Sequence, residues 1–514
     1  MIAYIWRRLG ILIIILFGSS FILYNLAAIS GDPAEGLRGS TDPRAKQQLY
    51  ALIRNLKLNV PPPARYFIWL KGILGGFTGH LDFGKTRDGH AVTLDLASAI
   101  PTTIRLIFMA TVIAIILGIT VGIVSALRQY SRFDYAMTFV AFLMFSLPIF
   151  WVAVLLKQYL AISFNNFLVN ATISPGWILG SSLISGIFWA GVISGDRSKV
   201  WKIFGIAAVA SATLSTILSL TKWFAHPGLG PIVLLALGIG VAFAVTLLST
   251  GLQNKNALKA SLAMPVFGLI FYYPVQKLFT SHPGFSLIGV MALVTITVAV
   301  ATAIIFSKID RGPIIRTTVI TSVLVGFLAL VDKLMRTWQP YMQTDAINNR
   351  PIPTSGQSNP LLGTDNFWFT SLDTLTHLFL PTIALTLISF AGYIRYSRGT
   401  LLDVLNQDYI RTARAKGLNE RTVIMRHAFR NTLIPLTTII VVDFAAIIGG
   451  AIITEHVFGW VGMGTLFNKA INGFDLNLLM GVFFITATLS VLANLVADLL
   501  YSALDPRIRV VSKS

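Results

Sequence analysis

The sequence predicts an all-α, polytopic helical membrane protein. Of its 514 residues, 55% are hydrophobic and only 12% are charged, and the mean hydropathy is +0.74. Soluble domains carry about 25% charged residues. Apolar runs of about 20 residues, the length that crosses a bilayer as a helix, recur along the whole chain. Because a spanning segment must satisfy its backbone hydrogen bonds internally, these runs indicate transmembrane helices.

The charge balance and the motif content exclude several other classes of protein. The formal net charge is +19, but the basic residues lie mostly in short loops, where they set topology and meet anionic lipid. We therefore expect membrane lipids, and no nucleic acid, as partners. The chain has no cysteine, which excludes disulfides and thiolate metal sites. It has no P-loop, HExxH or GxSxG pattern, so we expect neither a nucleotide site nor enzymatic activity in this chain.

The chain opens with an apolar run from Leu9 to Ile29, which predicts the first span. Arg7 and Arg8 precede this run, so the positive-inside rule predicts a cytoplasmic N-terminus. A secretory signal peptide is the alternative, because Ala27 and Ala28 are small. The run is long for the apolar region of such a peptide, which favours an uncleaved anchor.

Two more spans are predicted over 101–127 and 136–160, after a polar outer segment at 30–97. This outer segment contains an aromatic patch around Tyr66 that suits the membrane interface. It contacts an external partner, caps a pathway, or simply forms an interfacial helix. Pro148 lies in the middle of the third span and predicts a kink. The kink either lines a pathway or reflects packing geometry.

Residues 165–349 contain an internal repeat. Pro-Gly pairs begin at residues 175, 227 and 283, and each is followed by an apolar run, a basic loop and a second apolar run. This pattern predicts three helical hairpins, or six spans. An even number of added spans leaves the orientation of the flanking spans unchanged.

Two histidines in this repeat invite a metal interpretation. His226 and His282 each precede a Pro-Gly pair. Neither has a carboxylate partner at ligand spacing, so turn or interface residues are the better interpretation. We therefore predict no metal site.

A basic segment with helical periodicity follows the next predicted span, which covers 377–397. From Arg395 to Arg430 the chain has about eight Lys/Arg and three Asp/Glu, which predicts a cytoplasmic location. Apolar residues at helical spacing lie on both sides of Gly417. The pattern predicts two short helices joined at this glycine, where a positive φ carries little strain. Spans over 435–455 and 477–502 complete the predicted total of twelve.

This basic segment resembles the EAA loop of ABC importer permeases of the oligopeptide and dipeptide family. That pattern is an Ala-rich turn, a glycine and, after about 17 residues, a proline; Thr412, Ala413, Gly417 and Pro435 fill it here. Thr412 stands where many such loops carry Glu, as is usual in the peptide branch. Other family-like motifs occur in order: YIWRRLG at 4–10, SGDPAE at 30–35, LDFGK at 81–85, PIPTSGQSNP at 351–360, GWVGMG at 459–464 and YSALDPRIR at 501–509.

The resemblance implies a type I importer core of six spans with about six inserted spans. The core comprises residues 1–164 and 350–514, and residues 165–349 form the inserted region. The implied function is the permease subunit of an ATP-driven peptide importer in the bacterial cell (inner) membrane, with both termini cytoplasmic. The implied partners are a second, homologous permease, two ATPase subunits that bind ATP and Mg, and an extracytoplasmic substrate-binding protein. No cofactor is expected in this chain.

The resemblance also assigns candidate site residues. The implied ATPase-coupling loop comprises Asp408, Tyr409, Thr412, Ala413, Ala415, Gly417, Leu418 and Pro435. Candidate pathway residues are Pro148 and Asp443. The Asp443 carboxylate lies inside a predicted span, where ionisable groups are costly and often functional. It either lines the pathway or pairs with a neighbouring helix.

Two alternative functions stay open. One is a secondary transporter that uses an ion gradient and needs no ATPase. The other keeps the ABC assembly and changes the cargo to nickel or glutathione.

Overall fold

A computed structural model describes residues 2–193, 197–307 and 311–504. Across these ranges the chain is predominantly helical, and the β contact found there is an isolated bridge between Lys85 and Ala91. The chain divides into two compact units. The first, here called the core unit, contains Met1–Gln158, Thr354–Gln357 and Leu378–Ser514. The second, the inserted unit, contains Tyr159–Pro353 and Ser358–His377. The predicted segments 1–164, 165–349 and 350–514 stay a prediction.

Seven helices precede the inserted unit. They are α1 Ile2–Ser30, α2 Glu35–Arg38, α3 Pro43–Leu56, α4 Pro62–Leu74, α5 Val92–Leu127, α6 Arg132–Ser146 and α7 Ile149–Leu156. α3 begins as its sequence predicts. Asp42 accepts a hydrogen bond from the backbone N–H of Arg44 (2.9 Å), and Pro43 occupies the first helical position, where no backbone donor is needed.

The third predicted span is broken rather than kinked. α6 and the helices that follow Pro148 are bent by 101°. Leu147 and Pro148 are both extended, with ψ of 128° and 134°. A proline disfavours the helical conformation of the residue before it, so Leu147 ends α6. The prediction of a kinked continuous helix is therefore wrong. A π-helical stretch, Lys157–Ser163, follows α7.

The aromatic patch of the outer segment is partly buried in the core unit. Tyr66 and Trp69 are 2% and 6% exposed and pack against Tyr24 and Phe484. The Tyr66 hydroxyl is within hydrogen-bond distance of the Ser20 hydroxyl (2.9 Å), which satisfies the polar end of the ring. α4 turns these two rings towards α1 and α22 (Leu476–Leu504), so they pack inside the core unit, and their location at the membrane interface stays a prediction.

The inserted unit contains helices that pair in sequence order. They are α8 Phe164–Leu168, α9 Pro175–Ile193, α10 Arg197–Leu220, α11 Gly230–Ser249, α12 Lys255–Ile270, α13 Tyr272–Ser281, α14 Phe285–Phe306 and α15 Arg311–Met342. α9 packs on α10, α11 on α12, and α14 on α15. α15 also packs on α11 and α12.

The remaining helices follow α15, and the first of them is the longest helix in the described residues. They are α16 Phe367–Leu405, α17 Asp408–Ala415, α18 Glu420–Thr422, α19 Phe429–Gly450, α20 Ile452–Phe458, α21 Met463–Asn472 and α22 Leu476–Leu504. A π-helical stretch, Val423–Ala428, joins α18 to α19. The family-like motif at 501–509 extends beyond the described residues.

Nine helices in the described ranges are long and apolar enough to cross a membrane, and up to eleven are if each of two bent pairs forms one span. These eleven include all six predicted inserted spans and five of the six predicted core spans. The remaining prediction, 435–455, falls on α19, which is not among the candidates. Several side chains of α19 lie outside the described residues, so the total of twelve spans stays a prediction.

A buried carboxylate of the inserted unit, Asp332 of α15, links several of its helices and is 0% exposed. It accepts hydrogen bonds from the backbone N–H groups of Leu229 (2.7 Å) and Gly230 (3.1 Å), at the start of α11. It also accepts one from the Tyr272 hydroxyl (2.5 Å) and pairs with Arg336 (3.0 Å). A carboxylate at a helix N-terminus caps free N–H groups and complements the helix dipole. Asp332 thus joins α11, α13 and α15.

We predict that Asp332→Ala strongly destabilises the protein. The change leaves the Tyr272 hydroxyl and the N–H groups of Leu229 and Gly230 without their acceptor, and a buried polar group left unsatisfied costs about 1–3 kcal/mol. The measurement is the thermal unfolding midpoint of the purified protein in detergent. Glu420→Ala, which removes an exposed carboxylate, is the control and should change the midpoint little. An Asp332→Ala midpoint equal to that of the control variant would contradict the prediction.

Candidate functional site

The segment from α17 to α19, here called the coupling segment, contains a sharp turn at Gly417. α17 ends in a Schellman motif, because the N–H of Gly417 donates to the Arg414 carbonyl (2.9 Å) and the N–H of Leu418 to that of Ala413 (3.4 Å). Gly417 has φ +76°, a conformation that residues with a side chain rarely adopt. The predicted positive φ at this glycine is confirmed.

The second predicted short helix does not stand alone. Asn419 caps it by accepting a hydrogen bond from the N–H of Thr422 (2.8 Å), but the chain then stays helical as far as Gly450. No glycine or proline separates Asn419 from Pro435, so nothing ends the helix after two turns. Pro435 lies within α19. The prediction of two short helices is corrected to one short helix and the start of a long one.

An ion pair closes the turn. Arg414 donates two hydrogen bonds to the carboxylate of Glu420, at 2.6 Å and 3.2 Å. The hydrogen bond from Arg414 lowers the pKa of Glu420 below its ordinary value. The two side chains are 43% and 55% exposed, so water screens the pair and its contribution to stability is at most about 1 kcal/mol. The pair orients the turn and contributes little to its stability.

One face of the coupling segment is anchored to the core unit. Ile410, Ala413, Val423 and Ala428 are buried, and their cluster includes Leu401 of α16. Ala126 of α5 belongs to the same cluster. The Tyr409 hydroxyl also accepts a hydrogen bond from the Asn431 side chain (2.9 Å), which links α17 to α19. The inner face is thereby fixed on the ends of two long helices.

The coupling segment also has an exposed side. Large apolar side chains are exposed on α17, at the turn and in the π-helical stretch: Tyr409 at 43%, Leu418 at 41% and Met425 at 51%. Basic side chains such as Arg411 and Lys416 are exposed between them. An apolar patch rimmed by charge is typical of a protein contact surface. In the described residues this side is available for a partner protein.

The eight predicted coupling residues therefore divide between the buried face and the exposed side. Ala413 is in the buried cluster, and Pro435 is half-buried inside α19. The other six are exposed: Asp408, Tyr409, Thr412, Ala415, Gly417 and Leu418. Sequence reasoning missed Ile410, which anchors α17 with Ala413. The signal was available, because residues three apart lie on one helical face.

Behind the coupling segment, α5 and α16 approach each other closely. A Cβ built on Gly122 would lie 1.9 Å from the Ser397 hydroxyl oxygen and 2.8 Å from the Ile394 carbonyl oxygen. A Cβ on Gly118 would lie 2.5 Å from the Tyr393 side chain. Small residues four apart allow two membrane helices to pack with their backbones in near contact. α5 and α16 therefore meet without space for a methyl group.

A buried ion pair fixes α6 to the same place. Arg398 of α16 donates two hydrogen bonds to Asp134 of α6, at 2.7 Å and 2.9 Å, and Asp134 is 2% exposed. The Ser125 hydroxyl of α5 donates to the same carboxylate. Because the pair is bidentate, it fixes geometry as well as distance. α5, α6 and α16 are thus joined next to the coupling segment.

Comparison with known proteins supplies the family. Residues 260–510 match the family model described as "Binding-protein-dependent transport system inner membrane component". The chain is 42% identical over 163 residues to the oligopeptide transport system permease protein AppB of Bacillus subtilis, an alignment that covers 32% of this chain and half of that protein. It is 33% identical over 244 residues to the dipeptide transport system permease protein DppB of Escherichia coli, covering 43% of this chain and 69% of the relative.

The chain belongs to this family of inner membrane transport components. A further relative, the dipeptide transport system permease protein DppB of Alkalihalophilus pseudofirmus, is 27% identical over 511 residues, which cover 99% of this chain and 100% of the relative. The family match includes the coupling segment, α19 and α22. The predicted recognition and the predicted fold class, a polytopic all-α permease, are confirmed.

In this permease the two predicted pathway residues lie on separate elements. Pro148 is at the break between α6 and α7. Asp443 lies on α19, and its carboxylate is near the Tyr393 hydroxyl of α16. The role of Pro148 and Asp443 in the pathway stays a prediction.

The glycine-rich turn at 459–464 is built on a carboxylate that sequence reasoning did not single out. Glu455 is 0% exposed and accepts hydrogen bonds from the Thr103 hydroxyl (2.6 Å) and the N–H of Thr465 (2.8 Å). A Cβ on Gly462 would lie 2.3 Å from the Glu455 side chain. The glycine-rich turn therefore closes over Glu455 and ties it to α5. The signal in the sequence was the cluster of glycines next to a carboxylate.

We predict that Gly122→Ala destabilises the permease by about 1–3 kcal/mol, the usual effect of overpacking. The added methyl group would push α5 away from Ser397. Gly392→Ala on α16 is the matched control, because nothing lies within 4 Å of a Cβ there and alanine favours a helix over glycine by about 1 kcal/mol. Thermal unfolding in detergent compares the two. Equal midpoints for both variants would show that α5 and α16 pack less closely than described.

Proposed function

We propose that this chain is a transmembrane permease subunit of an ATP-driven ABC importer for peptides. The observation that carries the proposal is the coupling segment, whose inner face is anchored to α5 and α16 and whose exposed side carries apolar side chains among basic ones. The relatives named above are permeases of oligopeptide and dipeptide transport systems. Their names support peptides as the cargo.

The chain is proposed to work in an assembly. Its sequence has no P-loop pattern, so ATP and Mg would be bound by two ATPase subunits, one of which contacts the coupling segment. A second, homologous permease would complete the translocation pathway, and an extracytoplasmic binding protein would deliver the peptide. The assembly would lie in the bacterial inner membrane with both termini of this chain in the cytoplasm. The positive charge of the coupling segment supports that orientation.

The geometry suggests how movement of an ATPase would reach the spans. α17 is short and anchored through Ile410 and Ala413, so it can move with a docked partner as a rigid body. Gly417 then directs the chain into α18, the π-helical stretch and α19, which together stay helical as far as Gly450. α5, α6 and α16 are linked beside it by Asp134 and Arg398. A displacement at α17 would therefore be shared by four helices.

Alternating access requires that the ATPase contact the coupling segment differently in its two states, because a partner with equal affinity for both shifts nothing. The exposed Tyr409, Leu418 and Met425 supply an area that a partner can cover or leave. In the core unit, the helix is broken between α6 and α7, and Asp443 of α19 lies near Tyr393 of α16. We propose that both places face the peptide pathway.

Copurification and uptake test this proposal together. Tagged permease, isolated from its native membrane in mild detergent, should retain a subunit that hydrolyses ATP. Reconstituted with its partners, the assembly should take up labelled di- or oligopeptide only when ATP is supplied, and unlabelled peptide should compete. Uptake driven by an ion gradient without an ATPase would contradict the proposal. Competition by nickel or glutathione, and not by peptide, would change the cargo.

We predict that Gly417→Val uncouples uptake from ATP binding. A left-handed conformation strains a residue with a side chain by about 1–2 kcal/mol, a factor of about 5–30 in the population of the native turn. Peptide uptake should fall by a similar factor while ATP binding by the assembly stays unchanged. Gly417→Asn is the matched control, since asparagine tolerates this conformation. Because a Cβ at this position meets nothing within 4 Å, a difference between the variants reports backbone strain. Normal uptake in Gly417→Val would remove the turn from the mechanism.

A further inference from the structure

The first hairpin of the inserted unit has few neighbours within its own chain. α9 and α10 pack mainly on each other. None of the most apolar stretch of α10 is buried inside the chain. The second hairpin differs, because α15 covers α11 and α12; a Cβ on Gly238 of α11 would already contact Pro265 and Val325. The apolar surface of the first hairpin is therefore left exposed by the rest of the inserted unit.

That surface is a groove between the two helices. It has a volume of about 580 Å³ and is lined mainly by apolar side chains. Those that form its walls are Trp189, Ile193, Ile203, Ile206, Ala210 and Leu214. Along α10 they recur every three or four residues, so they share one helical face. The small side chains of Ala207 and Ser211 leave the space between these walls open.

The length of the groove matches one leaflet of a bilayer. Ile203 and Leu214 are separated by eleven positions, which at 1.5 Å per residue is about 16 Å. The hydrocarbon core of a bilayer is about 30 Å thick, so one leaflet supplies about half of that. A helix of a second membrane protein would require a contact surface along the whole span. An acyl chain of a single lipid requires only this length.

The groove ends at positive charge. Lys199 lies one turn before Ile203 and so on the groove face of α10, and Lys202 is next to Ile203; both are exposed. Trp201 is 77% exposed at the same end, as is common for aromatic side chains at the membrane interface. From residue 194 to 202 the sequence has three basic residues and one acidic residue. An anionic group is therefore favoured here over a zwitterionic or neutral one.

We propose that the first hairpin binds an anionic phospholipid of the cytoplasmic leaflet. One of its two acyl chains lies in the groove between α9 and α10, and its phosphate is bound by Lys199 and Lys202. The proposal assigns a ligand to the inserted unit and does not depend on the cargo of the permease. The binding fixes the hairpin at the depth of the headgroups in the membrane.

Native mass spectrometry of the full-length chain in detergent tests this proposal, with phosphatidylglycerol as the probe and phosphatidylcholine as the comparison. The wild type should retain at least one phosphatidylglycerol molecule more tightly than phosphatidylcholine. Lys199→Ala with Lys202→Ala should weaken that molecule by on the order of 30-fold, because each lysine near an anionic leaflet contributes about 1 kcal/mol and 1.4 kcal/mol is a factor of ten.

Two further variants separate the headgroup from the groove. Lys255→Ala with Lys259→Ala removes two exposed charges from the start of α12 in the second hairpin, whose helices are covered by α15, and should leave binding unchanged. Ala210→Trp fills the groove, keeps both lysines and should lose the same molecule. All variants should elute and unfold like wild type in lipid-free detergent.

Other results overturn the proposal. Equal losses in the two lysine pairs would mean that general positive charge, and not the groove, attracts the lipid. Unchanged binding in Ala210→Trp would exclude the groove as the acyl site. Lipid binding that none of the variants changes, with loss of a copurifying membrane protein in Ala210→Trp, would assign the groove to a partner helix.

Discussion

The close approach of α5 and α16 is the constraint on which the core unit depends. With no side chain at Gly118 or Gly122, the two backbones come near enough for the Ser397 hydroxyl of α16 to donate to the Gly118 carbonyl of α5 (3.3 Å). Lipid tails are as apolar as leucine, so membrane helices gain little by burying apolar surface against each other. Close packing of small residues and buried polar contacts replace that driving force. Next to this crossing, the ion pair of Asp134 and Arg398 adds α6.

The coupling segment gains its rigidity from this crossing. The buried face of α17 packs on the cluster that contains Ala126 and Leu401, so its base is the joined ends of α5 and α16. An isolated helix of eight residues is not stable in water; α17 persists because Ile410 and Ala413 are anchored. The exposed ion pair of Arg414 and Glu420 links α17 to α18 across the turn. The stability of this segment comes from packing, and the direction of the chain after α17 is set by the positive φ of Gly417.

Sequence reasoning identified the features that depend on local chemistry. Hydropathy located the apolar helices, and the Gly417 turn followed from its flanking helical pattern. The features that were missed depend on tertiary contacts, or on how strongly a local signal such as a proline disturbs a helix. Pro148 was correctly singled out, but only the extended conformation of Leu147 distinguishes a break of 101° from a kink. Burial of Tyr66 and Trp69 required the distant rings of Tyr24 and Phe484, which no periodicity reveals.

The buried carboxylates were missed for the same reason, because their roles depend on tertiary contacts. Asp332, Asp134 and Glu455 are each less than 3% exposed, and each binds donors from other elements. In the sequence these three stand beside basic or polar residues, whereas Asp443 stands alone in an apolar run and attracted attention for that reason. Three of the four have their donors in place and therefore hold helices or turns together, which is a structural role. Asp443 of α19 differs, because its neighbour is the Tyr393 hydroxyl of α16 and not a set of donors that joins several elements. Ionisable groups inside membrane spans are costly and often functional, so Asp443 stays the candidate pathway residue among these four.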